Sequence, residues 1–295
     1  MVIISQILDE VRSIFFKDER IVASDHFFSS GKRKHGSRVY IIIHTNKRDL
    51  FVKYDQNGKS DAFNKEYNSL KKINSSDFSS PQPIGLINKG MVISVVNGIP
   101  LESLICRDGL DKSIRVLNKT MVLMASFHQK YVSQQSKSIN QKLYDEMVKN
   151  KISLPKKIPM DEINLGFIHG DFDPFNTFFD SNSLKFGLID WEDFSEFGIQ
   201  ELDALHFVII TGIIANQSIS HQKLYEVVFS NYESNPYLKL LQIYCRERQS
   251  PMETTLKLIP AYCDIQNDRL KKAKRDTSDF LYNEFKKRYY EFRAI

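Results

Sequence analysis

A chain of 295 residues, 42% hydrophobic and 26% charged, has the composition of an ordinary soluble globular protein and excludes a disordered one. Its formal charge of +5 is modest and spread along the chain, which suits small anionic partners such as nucleotides and points away from nucleic-acid binding. Three isolated cysteines, Cys106, Cys245 and Cys263, form no CxxC pair and are odd in number, so a reduced, cytoplasmic setting is expected. In chain order, MVIISQILDEVRSIFF carries acid early and predicts an amphipathic helix, not a signal peptide. From Ile21 to Tyr54 the pattern is β: IVASDHFFS, a polar loop, RVYIIIHT, the turn NKRD and LFVKY. DAFNKEYNSLKKI predicts a helix, MVISVV another strand, and NGIPLESLI a turn into helix. Beyond it the pattern is mostly helical, with GFIHGD and LKFGLID as a β island. The longest apolar run, LDALHFVIITGIIA from Leu202, contains Asp203 and His206 and is too short to span a bilayer, so it predicts a buried helix and no transmembrane segment. The expected architecture is α+β with two lobes: a small β-rich N-terminal lobe over residues 1–96 and a larger, mainly helical lobe over 97–295.

Two acidic knots carry the chemistry. LGFIHGDFDPFNTFF reads as a hydrophobic hairpin with His169, Asp171, Asp173 and Asn176 in its middle. Asp and Asn commonly serve as turn formers, and Asp173 is read that way. The spacing HGDxxxxN over His169, Gly170, Asp171 and Asn176, followed by Asp190 on its own strand in LIDWED, resembles the catalytic segment of the aminoglycoside phosphotransferase and choline kinase families. These are relatives of the protein kinases, whose loop is written HRDxxxxN followed by DFG. The resemblance implies a protein-kinase-like fold using ATP and Mg2+. Phosphoryl transfer from ATP needs a metal on the phosphate oxygens and a carboxylate to orient the attacking hydroxyl, and hard oxygen ligands suit magnesium. By the same resemblance Asp171 accepts the hydroxyl's proton, Asn176 and Asp190 are the metal ligands, and His169 braces the loop.

Such chemistry also demands a strand lysine for the α- and β-phosphates and a helical glutamate to hold it. LFVKYD offers Lys53, on the same strand face as Phe51. On the next helix Phe63, Tyr67, Leu70 and Ile73 form an apolar stripe, and Glu66 falls inside it while Lys65 points away. A carboxylate there is costly to bury unless paired, so Lys53 is its expected partner; the alternative is an acid at the edge of the face that reaches water. The loop SSGKRKHGSRVY sets Gly31 and Gly36 near GxxxxGK[ST] spacing, but Arg38 breaks the pattern and strand leads to strand, which excludes a Walker loop. Gly31 and Gly36 are expected to cover the nucleotide loosely as a kinase glycine loop does, with Lys32, Arg33 and Lys34 on phosphate or simply solvated. The resemblance further implies that backbone groups from Ser94 to Val96 read the adenine.

Two more features agree with the family. His128 shares an apolar helix face with Ile114, Leu117, Met121 and Met124, and Ala125 to His128 matches the small-x-aromatic-His ending of the helix before the family's loop; its expected role is structural. EFGIQELDALHF resembles the acidic-Gly stretch that leads into an Asp-Leu helix start, with Ala204 in place of that Leu, and Asp203 is expected to cap the helix or hold the loop's backbone. The resemblance spans roughly Ile21 to Ile210. The last third carries no matched motif, and its basic run RLKKAKRD from Arg269 reads as a solvated helix face.

The expected function is an ATP-dependent phosphotransferase moving the γ-phosphate to a hydroxyl of a small molecule: a sugar, an amino alcohol or an aminoglycoside-like compound. Scattered acids beyond Leu202 favour a neutral or anionic acceptor over a polycation. Two alternatives stand beside it. A protein kinase normally carries an extended activation segment after the metal aspartate, whereas a short stretch separates Asp190 from Asp203 here. A noncatalytic nucleotide-binding pseudokinase has nothing visible in its favour, because the lysine, both aspartates and the asparagine are all present.

Overall fold

The computed structural model describes residues 2–16, 19–28, 38–58, 61–73, 77–132, 162–230, 234–272 and 281–293. The chain falls into two compact units, Met1–Asn97 with Ile189–Glu192, and Gly98–Leu188 with Asp193–Ile295. The first contains an antiparallel sheet in the order β1 (Ile21–Phe28), β2 (Arg38–Thr45), β3 (Asp49–Asp55), β5 (Gly90–Ser94) and β4 (Pro83–Ile87). Alternation along β2 and β3 sorts the side chains. Val39, Ile41, Ile43, Leu50 and Val52 turn to one face, where they meet Ile4, Ile7 and Val11 of α1 (Val2–Phe15) in a buried cluster. Each such aliphatic contributes about 1.5–3 kcal/mol by leaving water. The opposite face carries Lys53, because Lys53 pairs in register with Tyr40 of β2 and Met91 of β5.

The second unit is built on helices. Helix Glu201–Ala215 has buried residues on every side, as a helix with so few polar residues must, and so runs through the interior of this unit. The long helix α4 (Leu110–Lys130), which follows α3 (Leu101–Asp108), packs on helix Pro236–Arg248, and helix Ile259–Lys272 packs on helix Leu281–Arg293. The β island is larger than its sequence pattern suggests. LGFIHGDFDPFNTFF is not a hairpin: β7 (Leu165–Ile168) pairs with β10 (Ser195–Ile199), while β8 (Thr177–Asp180) lies between β6 (Ile99–Pro100) and β9 (Lys185–Leu188). The acidic residues therefore occupy a loop between two different sheets. Strand β4 is a second departure, absent from the sequence reading. No helix among the described residues is long and apolar enough to cross a membrane.

Candidate active site

In the first unit the buried face of β3 and that of α2 (Asp61–Lys72) each present one charge. Lys53 donates to both carboxylate oxygens of Glu66, at 2.8 and 2.9 Å, and to Asp190 Oδ1 at 2.6 Å. Glu66 is fully buried and its Oε1 also accepts from the Trp191 N–H at 3.3 Å. Burial alone would push the Lys53 ammonium down, but Asp190 and then Glu66 more than reverse that and hold it charged. For Glu66 desolvation dominates and lifts the carboxyl to about 7 against the pull of Lys53, with the Asp190 charge adding to the rise. The two carboxylates explain the rise at Lys53, and burial explains the rise at Glu66. Asp190 itself sits at φ 64°, a left-handed conformation that Asp tolerates and that is most often retained where function holds it.

Next to it, Arg38 donates from Nη2 to Glu192 Oε2 at 2.9 Å, with its guanidinium 4.9 Å above the Phe63 ring. Arg38 enters the sequence reading only as the residue that breaks a Walker pattern; here it ties Glu192 to β2. Carboxylate oxygens of Glu66, Asp190 and Glu192 lie within 4.8 Å of one another. Three hard oxygen donors at this spacing fit a divalent cation such as magnesium. On the Lys53 face, Phe27, Tyr40 and Phe51 stack with centroids 5.2 and 5.9 Å apart between neighbours, and Phe27 is half exposed. Such an aromatic surface can take a planar base. The Ser94 N–H is committed to Gln82 O at 2.9 Å, and its hydroxyl accepts from Gln82 N, whereas Val96 lies beyond the end of the ladder. Gly31 and Gly36, with Lys32 to Lys34, lie outside the described residues.

In the second unit the HGDxxxxN loop is held from beneath by Asp203. Its Oδ2 accepts the His169 N–H at 2.7 Å and its Oδ1 the Gly170 N–H at 3.0 Å. Of the two roles open to it, Asp203 takes the second: the helix that begins at Glu201 has no side-chain cap. His128 Nε2 lies 3.3 Å from Asp203 and its Nδ1 2.8 Å from the Tyr244 hydroxyl. Burial holds His128 below its usual range and therefore neutral, so Nε2–H donates to the carboxylate and Nδ1 accepts from the tyrosine. Burial would raise Asp203, but His128 and the backbone donors outweigh it and keep the carboxyl low. Gly170 has φ 84°, and a side-chain carbon there would come within 2.5 Å of the Asp193 carbonyl oxygen, so only glycine fits.

The loop then arranges its own polar groups. Asp173 Oδ1 accepts from the Phe175 and Asn176 N–H groups, both at 2.9 Å, as an Asx turn does. Asn176 Nδ2 donates to Asp171 O at 2.9 Å and to Asp171 Oδ2 at 3.1 Å, so of its amide atoms the oxygen is the one that could serve a cation. His169 is fully buried, and its Nδ1 accepts from the Asp171 N–H at 3.3 Å. That contact is with the loop's backbone.

Two groups that the sequence reading did not assign converge on Asp171. His206, from helix Glu201–Ala215, places Nε2 3.2 Å from Asp171 Oδ1 and 3.7 Å from Asp173 Oδ2, neither aligned as a hydrogen bond, and its Nδ1–H donates to the Tyr262 hydroxyl at 2.7 Å. Arg269, from helix Ile259–Lys272, donates from Nη1 to Gly170 O at 2.7 Å; its Nη2 lies 3.4 Å from Asp193 Oδ2 and its Nη1 4.0 Å from Asp171 Oδ1. The basic run is therefore not merely solvated: its first residue enters the loop, while Lys272 pairs with Asp268 on the surface.

Burial would raise Asp171, but His206 first and Arg269 next hold it at about 2. Burial would lower His206, but Asp171 and Asp173 lift it to about 9, so the imidazolium persists through neutral pH. A raised histidine pKa contributes stability that is complete below about 6.5, its unfolded value, and is lost as pH rises through about 9. The gap in unfolding midpoint between wild type and His206→Gln should therefore narrow across that window. A gap unchanged from pH 6 to pH 10 would mean that His206 is neutral in the folded protein.

No protein-family model matches the chain, and no curated protein matches it. Solved structures do. A thermostable mutant of aminoglycoside phosphotransferase APH(4)-Ia, in a ternary complex with AMP-PNP and hygromycin B, shares 11% identity over 99% of this chain and 100% of that one, with a TM-score of 0.58. A candidate aminoglycoside phosphotransferase from Ralstonia eutropha JMP134 shares 11% over 97% and 94%, with a TM-score of 0.55. The streptomycin-ATP-APH(2")-IIa ternary complex shares 14% over 95% and 98%, with a TM-score of 0.50. At such identities the likeness is one of fold, and it runs through the whole length of both chains.

Proposed function

We propose that this chain, which has the protein-kinase-like α+β fold of the aminoglycoside phosphotransferases, is an Mg2+-dependent kinase that transfers the γ-phosphate of ATP to a hydroxyl of a small molecule. The observation that carries the reading is Lys53, fixed at 2.8 Å by buried Glu66 and at 2.6 Å by Asp190, in a chain that also holds an HGDxxxxN loop. A buried lysine with two carboxylates is an expensive arrangement for a purely structural purpose. Polar groups arranged this way are what phosphate positioning requires.

In this reading residues 1–96 form the nucleotide-binding lobe and residues 97–295 the catalytic and substrate lobe. Lys53 takes the α- and β-phosphates, the Phe27, Tyr40 and Phe51 stack serves as base platform, and the backbone near Val96 reads the base edge. Asp190 and Asn176 would hold magnesium. The metal, when bound, neutralises charge on the transferring phosphate. Asp171 orients the acceptor hydroxyl and takes its proton while the new O–P bond forms and the bond from the γ-phosphorus to the bridging oxygen breaks, releasing ADP. Only the short stretch through β10 separates Asp190 from the helix at Glu201, which favours a small acceptor over a protein one. Turnover of ATP with magnesium, with and without candidate alcohols and a generic protein substrate, tests this. Transfer to protein alone, or nucleotide binding with no turnover, would replace the reading by a protein kinase or a pseudokinase.

The acceptor is a neutral or anionic hydroxyl compound, such as a sugar or a glycan precursor. Each ammonium of a polycation must exchange water for a charged acceptor, and the reacting carboxylate and its neighbouring acids are already matched: Asp171 by His206 and Arg269, Asp173 by His206, Asp193 by Arg269. The two cations would also repel a polycation. Under identical ATP and magnesium, neutral or acidic sugars should outperform kanamycin-type aminoglycosides. Saturable phosphorylation of the aminoglycoside that weakens with added salt would overturn this choice.

A further inference from the structure

We infer that His206 and Arg269 form a clamp, one cation from each of two helices, that fixes the Asp171 carboxylate in the orientation from which it engages the acceptor hydroxyl. The inference rests on the phosphotransfer reading and extends it to two residues to which the resemblance gives no role: His206, in the stretch EFGIQELDALHF, and Arg269, beyond the matched region.

The Asp171 side chain is 37% exposed, and a carboxylate turns easily about its last bond. Here its two oxygens are assigned. Oδ2 receives Asn176 Nδ2 at 3.1 Å, while Oδ1 faces His206 Nε2 at 3.2 Å and Arg269 Nη1 at 4.0 Å. Rotation of the carboxylate out of its present plane would lengthen contacts on both sides. Both cations are anchored independently of Asp171: His206 through the Tyr262 hydroxyl at 2.7 Å, Arg269 through the Gly170 carbonyl at 2.7 Å and Asp193 at 3.4 Å. They can therefore position Asp171 and are not merely gathered by it. The buried His206 Nε2 has no aligned hydrogen bond and sits between the Asp171 and Asp173 carboxylates. A buried polar atom left in that state calls for a reason, and holding two acids of the loop supplies one.

Phosphoryl transfer with a loose transition state draws most of its catalysis from positioning and charge stabilisation, and a carboxylate fixed in orientation supplies the first.

The test measures MgATP hydrolysis with water as acceptor, which needs no knowledge of the natural one. His206→Gln and Arg269→Gln should each lower kcat by about ten- to a hundred-fold, the scale of a small misplacement of a reacting group, with KM for MgATP unchanged. Arg269→Lys should recover little, since an ammonium lacks the planar fork that spans Gly170 and Asp193. Guanidinium at millimolar concentration should restore part of the kcat lost in Arg269→Ala. Unchanged kcat in His206→Gln and Arg269→Gln overturns the clamp, as does a loss in kcat that tracks unfolding midpoint and nucleotide affinity and resists guanidinium. A wild-type protein with no ATP turnover would instead remove the phosphotransfer reading, and the clamp with it.

Discussion

Asp171→Ala lowers phosphate transfer by about a hundred- to ten-thousand-fold, the range of a lost general base, and leaves nucleotide binding in place. Asp190→Asn behaves differently: it removes magnesium-dependent nucleotide binding and turnover together. The separation follows from what each carboxylate touches. Asp171 belongs to the loop that Asp203 holds by two backbone N–H groups, and its neighbours are Asn176, His206 and Arg269. Asp190 belongs with Lys53, at 2.6 Å, and with the carboxylates of Glu66 and Glu192. Calorimetric titration of each variant with ATP, in magnesium and in EDTA, reads binding apart from turnover. Equal loss of binding in both variants would show that the division of roles is wrong, and undiminished turnover in Asp190→Asn would remove it from the metal site.

How much of this was legible in the sequence depends on the kind of signal each residue leaves. The α+β architecture was legible, because strand and helix periods differ. Glu66 was readable too: a glutamate inside an apolar helical stripe must find a cation, and Lys53 stands on a strand whose other residues alternate regularly. Strand partners were not. Period-two alternation marks a strand without naming its neighbour, so β7 and β8 read as one hairpin although β7 pairs with β10 and β8 with β6 and β9. Strand β4 escaped because PIGLI begins with proline and carries Gly85 in its middle; at the sheet's edge a first-residue proline costs no ladder bond. Arg38, His206 and Arg269 draw their roles from tertiary placement. His206 alone left a usable trace, since a titratable group in an otherwise apolar helix must meet a partner. Arg269 is one cation in a basic run, and nothing local distinguishes it from Lys271 or Lys272.

The buried pair gives the sharpest quantitative expectation. Lys53→Ala removes the phosphate contact and leaves Glu66, fully buried, without its cation, a change that costs on the order of 3–5 kcal/mol in such settings. Glu66→Ala spares the lysine but releases it from α2, leaving Asp190 as its partner at 2.6 Å. Each single variant thus disorganises the same contact, and turnover falls strongly in both. Once one partner is gone there is little left for the second substitution to spoil. The double variant Lys53→Ala/Glu66→Ala should therefore lose less than the sum of the two, by about 0.5–3 kcal/mol when the rate losses are expressed as free energies. The unfolding free energy should show the same sign, because removing both charges also removes the uncompensated buried carboxylate that burdens Lys53→Ala alone. Measured kcat/KM for MgATP and chemical unfolding of the four proteins give both cycles. Strict additivity in both would mean that Glu66 neither holds Lys53 for the phosphates nor depends on it for burial, and the 2.8 Å contact would then be an incidental one.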